Sequence, residues 1–374
     1  MRDLRLSLSD IANILSLGFV LALLVTLVAG LVADRFGRRI SLTLFLSLSA
    51  LCVGATGLAH TGVVLAIWRA LGFSLGNGLS PITSSYVAEA APPRYRGLLI
   101  GILQCGYPIG WFMASILAAP LLETYGWRSL YYCAFAVVPA AMLLCAILPE
   151  SRTFKNVAAR PASITAAARI RGLCQPPLRR RTMYGAIVYV LFGGAYGGSA
   201  FYFPTFFHAV RGYSDATAAR IVGTAYGIGI LGYIGAALLG EFVTTRRNTA
   251  SAWCVLGTVA LIALIWLPRT PHQDLIAYGL VAVFFYGVNG VLQAFVTELF
   301  PTHLRATGAA LSASAGLCIG FALFPILVAY SVSIGGWQWG FTLTVAPALL
   351  LAGIVIRALD NIPSGRALEG ALSS

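Results

Sequence analysis

LVTLVAGLVADRFGRR, residues 24–39, runs through ten uncharged positions and then places four charges in its last six. The uncharged stretch reaches back to residue 11, long enough to cross a bilayer, which takes about 20 apolar residues. The switch to Asp34, Arg35, Arg38 and Arg39 marks the point where the chain returns to water. Working outward, the same rhythm recurs. Apolar runs fall at 11–33, 41–60, 62–88, 98–121, 129–148, 184–206, 217–240, 250–268, 275–297, 306–330 and 338–357, which predicts eleven spans. Runs of this length must satisfy their own backbone hydrogen bonds in lipid, so helices are the expected structure.

Composition agrees with this reading. The chain of 374 residues is 59% hydrophobic and 10% charged, against about 25% charged in soluble domains. Mean hydropathy is +0.84. The net charge of +13 does not point to nucleic acid, because the charges punctuate the spans. With loops assigned to alternate sides, one side carries 18 Lys and Arg residues and the other six. The richer side is expected in the cytoplasm, which puts the C-terminus inside and the N-terminus outside. The seven cysteines are scattered without a CxxC pair, and the four histidines lie at span ends without partners at metal spacing, so neither a disulfide framework nor a metal site is expected. The opening MRDLRLSLSD lacks the cleavage signature of a signal peptide.

The two halves repeat. EAAPPRYRG (89–97) and ELFPTHLRATG (298–308) share Glu, Pro three later and Arg seven later, at an offset of 209. Asp34 and Arg39 match Glu241 and Arg246 at 207, and Gly126–Trp127 matches Gly336–Trp337 at 210. Parallel repeats of six-helix halves are a transporter architecture. The expected fold is therefore an all-α membrane protein of two pseudo-symmetric bundles, five spans plus six. Residues 1–148 form the first bundle, 149–182 a basic cytoplasmic linker and 183–374 the second. The second half opens with a helix at 184–206 whose partner would lie before Met1, so the first half reads as one helix short.

These residues carry a resemblance to the major facilitator superfamily over essentially the whole chain. GLVADRFGRR (30–39) is similar to that family's loop motif between its second and third helices, with a degenerate echo at Glu241–Arg246. PESR (149–152) and the paired Glu/Pro/Arg signatures resemble the sugar and organic-acid branches. PPRYRGLLIGILQCGYPIGW (92–111) resembles the carboxylate, aromatic-acid and sialate proton symporters. The resemblance implies alternating-access transport of a small organic anion by a monomer in the cell (inner) membrane. It also implies proton coupling in a form that carries the upstream helix, since the acidic residues of this chain all lie in loops or near span ends.

Two sets of residues are candidates for that work. Asp34, Arg38 and Arg39 with Glu89, Arg96, Glu150 and Arg152, and Glu241 and Arg246 with Glu298 and Arg305, form two pseudo-symmetric cytoplasmic charge clusters. They read as a latch that opens and closes the cavity, or as topology anchors worth about 0–1 kcal/mol per exposed pair. For substrate, Asn77, Ser80 and Ser84 in the broken run RALGFSLGNGLSPITSS (69–85) match Tyr286, Asn289 and Gln293 at an offset of 209. Polar side chains facing lipid are costly, so both stripes are expected to face the bundle interior. Gln104, Tyr107, Tyr189 and Tyr196 are weaker candidates. Arg69 stands inside a span, either as an anchor for an anion or as a structural group bonded to neighbouring carbonyls.

Other classes are disfavoured. GIGILG (227–232) matches a dinucleotide fingerprint, but it lies inside an apolar run and reads as small-residue helix packing. No GxxxxGK[ST] occurs, and no convergent acid, base or nucleophile is visible, so no cofactor and no enzymatic activity are expected. The alternatives kept open are a mis-started chain that inserts without transporting, a sugar-type uniporter or symporter, and a membrane sensor.

Overall fold

The computed structural model describes residues 7–92, 95–150, 171–176, 178–300 and 304–361. At some helical positions, Asp34, Glu89, Arg96 and Arg305 among them, only the backbone is described. The described residues form helices and connecting turns, with no strand. They group into two compact units: Met1–Ala91 with Pro120–Ala168, and Pro92–Ala119 with Arg169–Ser374.

In the first unit, α1 (Leu8–Phe36) ends at Gly37, whose φ of 96° lies in the region that glycine tolerates best. Gly37 is also the point where α2 (Arg38–Thr56) begins, so a single residue reverses the chain where the sequence turns to charge. Thr61 caps α3 (Gly62–Ala90) by accepting the Val64 N–H at 3.3 Å. Helices α1, α2 and α3 pack together around Ala29, Ala33, Phe45 and Ile82. Gly78 lets α3 close on Phe45, since a Cβ there would come within 2.9 Å of the ring. The helices α6 (Trp127–Tyr132) and α7 (Val137–Ile147) return along α2.

In the second unit, α4 (Arg96–Gln104) and the part of α5 (Gly106–Tyr125) up to Ala119 are followed by α8 (Leu178–Ala200) and α9 (Phe203–Arg211). The predicted run 184–206 is not one straight helix, because α8 and α9 meet at an angle of 47°. Pro204 in the first turn of α9 has no N–H to continue the ladder, and this breaks the helix. Next come α10 (Asp215–Leu238), α11 (Arg246–Trp266), α12 (Pro271–Phe284), α13 (Asn289–Glu298), α14 (Arg305–Ala309) and α15 (Ala315–Arg357). A single 3₁₀ turn, Tyr286–Val288, joins α12 to α13. The backbones of α10 and α12–α13 touch there, because a Cβ on Gly287 would lie 2.9 Å from the carbonyl carbon of Gly232. The glycines of GIGILG serve this packing: Gly227 meets Phe112, Gly229 meets Ala282 and Gly232 meets Val283. Within α15, Gly336 leaves helical geometry at φ 77° and ψ 174°.

Among the described residues nine helices are long and apolar enough to cross a membrane, and ten if α8 with α9 counts as one bent span. Their outward faces are apolar: Leu24 is 60% exposed, Ile147 70% and Leu343 66%. Faces of this kind fit lipid and would be a liability in water.

Candidate functional site

The C-terminal half of the predicted polar stripes assembles into one buried aromatic cluster. The Tyr189 hydroxyl of α8 donates to Gln293 Oε1 of α13 at 2.7 Å. Tyr196, two turns further along α8, places its ring centroid 4.6 Å from that of Tyr286. Asn289 Nδ2 donates to the Tyr233 hydroxyl at 3.3 Å. The structure thus brings together Tyr189, Tyr196, Tyr286, Asn289 and Gln293. Gln104 is buried and Tyr107 is 48% exposed.

The centre of the cluster was missed by sequence reasoning. The Tyr226 ring is stacked between Trp111 and Tyr286, with both centroids 5.2 Å away and interplanar angles of 10° and 12°. The hydroxyls of Tyr278 and Tyr286 lie 3.1 Å apart. Phe321 closes the edge at 5.8 Å from Tyr196. One signal was available: Tyr226 and Tyr233 on α10 repeat the seven-residue spacing of Tyr189 and Tyr196 on α8. Parallel ring faces favour offset stacking with another flat π-system, while hydroxyl and amide groups at the rim fix the orientation of polar substituents.

The N-terminal stripe behaves differently. Asn77 Nδ2 donates to the Phe73 carbonyl of its own helix at 2.8 Å, and the Ser80 carbonyl accepts the Thr83 hydroxyl at 3.2 Å. Ser84 Oγ is buried without a hydrogen-bond partner. Arg69 packs its guanidinium over Phe73 at 4.4 Å and over Tyr131 at 5.7 Å. Aromatic faces therefore neighbour this charge.

Charge concentrates at the helix ends. Arg246, at the start of α11, is paired with both Glu241 and Glu298, with Nε to Glu241 Oε2 at 3.1 Å. Its side chain is 6% exposed. Gly97 of α4 covers the cluster, since a Cβ there would lie 2.9 Å from both Arg246 Cζ and Glu241 Oε2. The side chain of Arg305, predicted to join this cluster, lies outside the described residues. In the first unit Glu150 accepts the backbone N–H of Arg38 at 2.9 Å and of Arg39 at 3.3 Å. The remaining members of that predicted cluster, the side chains of Asp34, Glu89 and Arg96 and all of Arg152, also lie outside the described residues.

A second charge cluster, which the sequence did not reveal, sits at the other end of the C-terminal helices. Asp274 has no side-chain exposure, accepts the Tyr213 hydroxyl at 2.7 Å and lies 3.4 Å from Arg211 Nε. Arg211 also donates to the carbonyls of Leu264 and Ile265. Burial, and then the Asp274 carboxylate, push the Tyr213 hydroxyl up to about 12. The seven cysteines are free thiols, and among the described residues no group of three metal ligands converges.

Comparison with known proteins shows the family and the fold. The model of the Major Facilitator Superfamily matches residues 1–316. The cis,cis-muconate transport protein of Acinetobacter baylyi is 31% identical over 338 residues, covering 87% of this chain and 79% of its own. The gallate transporter of Pseudomonas putida is 31% identical over 386 residues, covering 94% and 84%. The solved structure of the proton:xylose symporter XylE superposes with a TM-score of 0.73 at 17% identity, over 98% of this chain and 90% of that one, which shows the shared fold. These relatives are transporters rather than enzymes. The chain belongs to the major facilitator superfamily, a family of multi-pass membrane transporters.

Proposed function

We propose that this protein moves a small organic anion, a flat carboxylate, across the cell membrane by alternating access, driven by protons. The observation that carries this reading is the Trp111–Tyr226–Tyr286 stack beside the Tyr189–Gln293 bond. A conjugated acid offers a planar face to such rings and polar atoms to their rim. The two named relatives carry muconate and gallate, acids of this shape. Asn289 and Tyr233 supply further donors on the same wall, and Gln104 and Tyr107 border it. Arg69, Asn77, Ser80 and Ser84 are the candidate polar residues carried by the first bundle.

The protein works as a monomer of two bundles, 1–148 and 183–374, joined by the linker 149–182. Eleven spans follow when the Thr307–Arg357 segment is divided at Gly336, because its 51 residues would reach roughly 75 Å as one helix against a core of about 30 Å. The 18 basic residues on one side support a cytoplasmic C-terminus. The Glu241–Arg246–Glu298 cluster then lies at the cytoplasmic face, where its separation opens the inward path. Asp34, Arg38, Arg39, Glu89, Arg96, Glu150 and Arg152 form the pseudo-symmetric counterpart of that cluster.

Uptake of cis,cis-muconate, gallate and xylose into proteoliposomes, with and without an inward proton gradient, tests this. Carboxylate uptake that rises with the gradient is the expected result. Uptake of xylose alone, or of none of the three, overturns it.

A further inference from the structure

Two open clefts flank the first turns of α10, and both are lined by Arg220 and Thr224. One, of about 200 Å³, lies against α5 and is walled by Phe112, Ser115 and Ile116. The other, of about 220 Å³, lies against the start of α12, with Thr217, His272 and Leu275. A cavity of about 150 Å³ is enough for a benzene ring, so either cleft has room for one. The floor of the first is fixed by close packing, because a Cβ on Gly223 would collide with Ser115.

Arg220 is exposed and forms no ion pair or hydrogen bond among the described residues. The nearest acid along α10, Asp215, faces His208 at 3.5 Å. From Arg220 to Glu241 the chain rises roughly 30 Å, so Arg220 stands at the membrane face opposite the Glu241–Arg246–Glu298 cluster. That face carries only six Lys and Arg residues, so a free guanidinium there is not explained by topology. A guanidinium beside hydroxyls and an apolar wall is chemistry for a carboxylate that carries an apolar body.

We propose that Arg220 is the centre of a second anion site, which collects a flat carboxylate at this face before it reaches the aromatic cluster. Arg220 takes the carboxylate in fork geometry, the Thr224 hydroxyl adds a donor, and the ring lies in one of the two clefts. The site rests on the organic-anion reading for its place in transport, but its test reads occupancy and not uptake.

The test is equilibrium binding of radiolabelled benzoate to the purified full chain in phosphatidylcholine nanodiscs. Arg220→Gln is expected to weaken binding about tenfold, and Arg220→Lys less, because lysine keeps the charge but not the fork. Thr224→Val, which keeps the shape, is expected to weaken it about threefold. Added salt weakens binding in the wild type and much less in Arg220→Gln. Three results overturn the proposal: no benzoate binding by the wild type, equal binding by Arg220→Gln at every salt concentration, or displacement of benzoate by phosphatidylglycerol in the disc, which would make the occupant a lipid headgroup. Benzoate binding through Arg220 in a chain that takes up no acid would overturn the transport reading and leave this site standing.

Discussion

Glu150 caps a helix that begins 112 residues before it: its Oε1 accepts the Arg38 N–H at 2.9 Å. The carboxylate thereby holds the first turn of α2, where the unsatisfied N–H groups and the positive end of the helix dipole favour an anion. Glu150→Ala is expected to cost about 1–2 kcal/mol in thermal or denaturant unfolding, and Glu150→Gln less, because an acceptor remains. A group acting only as a gate would change transport and leave unfolding untouched.

Arg246 is held between two carboxylates with almost no exposure. Its removal in Arg246→Ala leaves those carboxylates uncompensated, and a loss of about 3–5 kcal/mol is expected. Combining Arg246→Met with Glu241→Gln and Glu298→Gln should recover most of that stability while abolishing transport. Recovery of both would remove the gate reading.

The aromatic cluster predicts a separation of stability from affinity. Tyr189→Phe and Gln293→Leu should each weaken folding, with a coupling of about 0.5–1.5 kcal/mol in a double-mutant cycle. Tyr226→Leu should raise the KM for a conjugated acid about tenfold while an aliphatic acid is little affected, since the Trp111 ring that would meet a flat substrate loses the ring that backs it. Equal effects on both acids would make Tyr226 a packing residue.

Tyr213 gives a pH dependence with a definite sign. Its hydroxyl, raised to about 12 from an ordinary value near 10, contributes stability that is fully present below pH 10 and lost as the pH rises through 12. Ultraviolet titration of wild type against Tyr213→Phe should show one tyrosine fewer ionising in that window, and the variant should lose the corresponding slope in its stability.

The membrane-spanning, all-helical character and one charge cluster were legible because hydropathy and charge are local properties of the chain. Glu241, Arg246 and Glu298 could be grouped from their repeat offsets alone, and the structure joins all three. The aromatic cluster was legible only at its rim. Tyr226, Tyr278 and Trp111 look like ordinary apolar residues in a membrane helix, and close packing of α10, against α12–α13 through Gly232, Gly287 and Gly290 and against α5 through Gly227, brings their rings together. Asp274 was read as an end-of-span acid, because nothing in its neighbours reveals that the turn after α9 folds Tyr213 and Arg211 onto it. The bend between α8 and α9 was hidden because hydropathy runs unbroken through Tyr202 and Phe203.

The paired glycines before Trp127 and Trp337 have nearly the same backbone, with φ 75° and ψ 176° at Gly126 and φ 77° and ψ 174° at Gly336. Open space surrounds the Cβ position of both, so a side chain there meets only conformational resistance. For an L-residue these angles are strained, while for a D-residue they are ordinary extended backbone. A semisynthetic chain with D-alanine at either position should therefore be more stable than the natural protein by about 0.4–1 kcal/mol, and L-alanine should be less stable. At these two points handedness, and not size, excludes nineteen of the genetically encoded amino acids, and the two Gly-Trp pairs share the same exclusion.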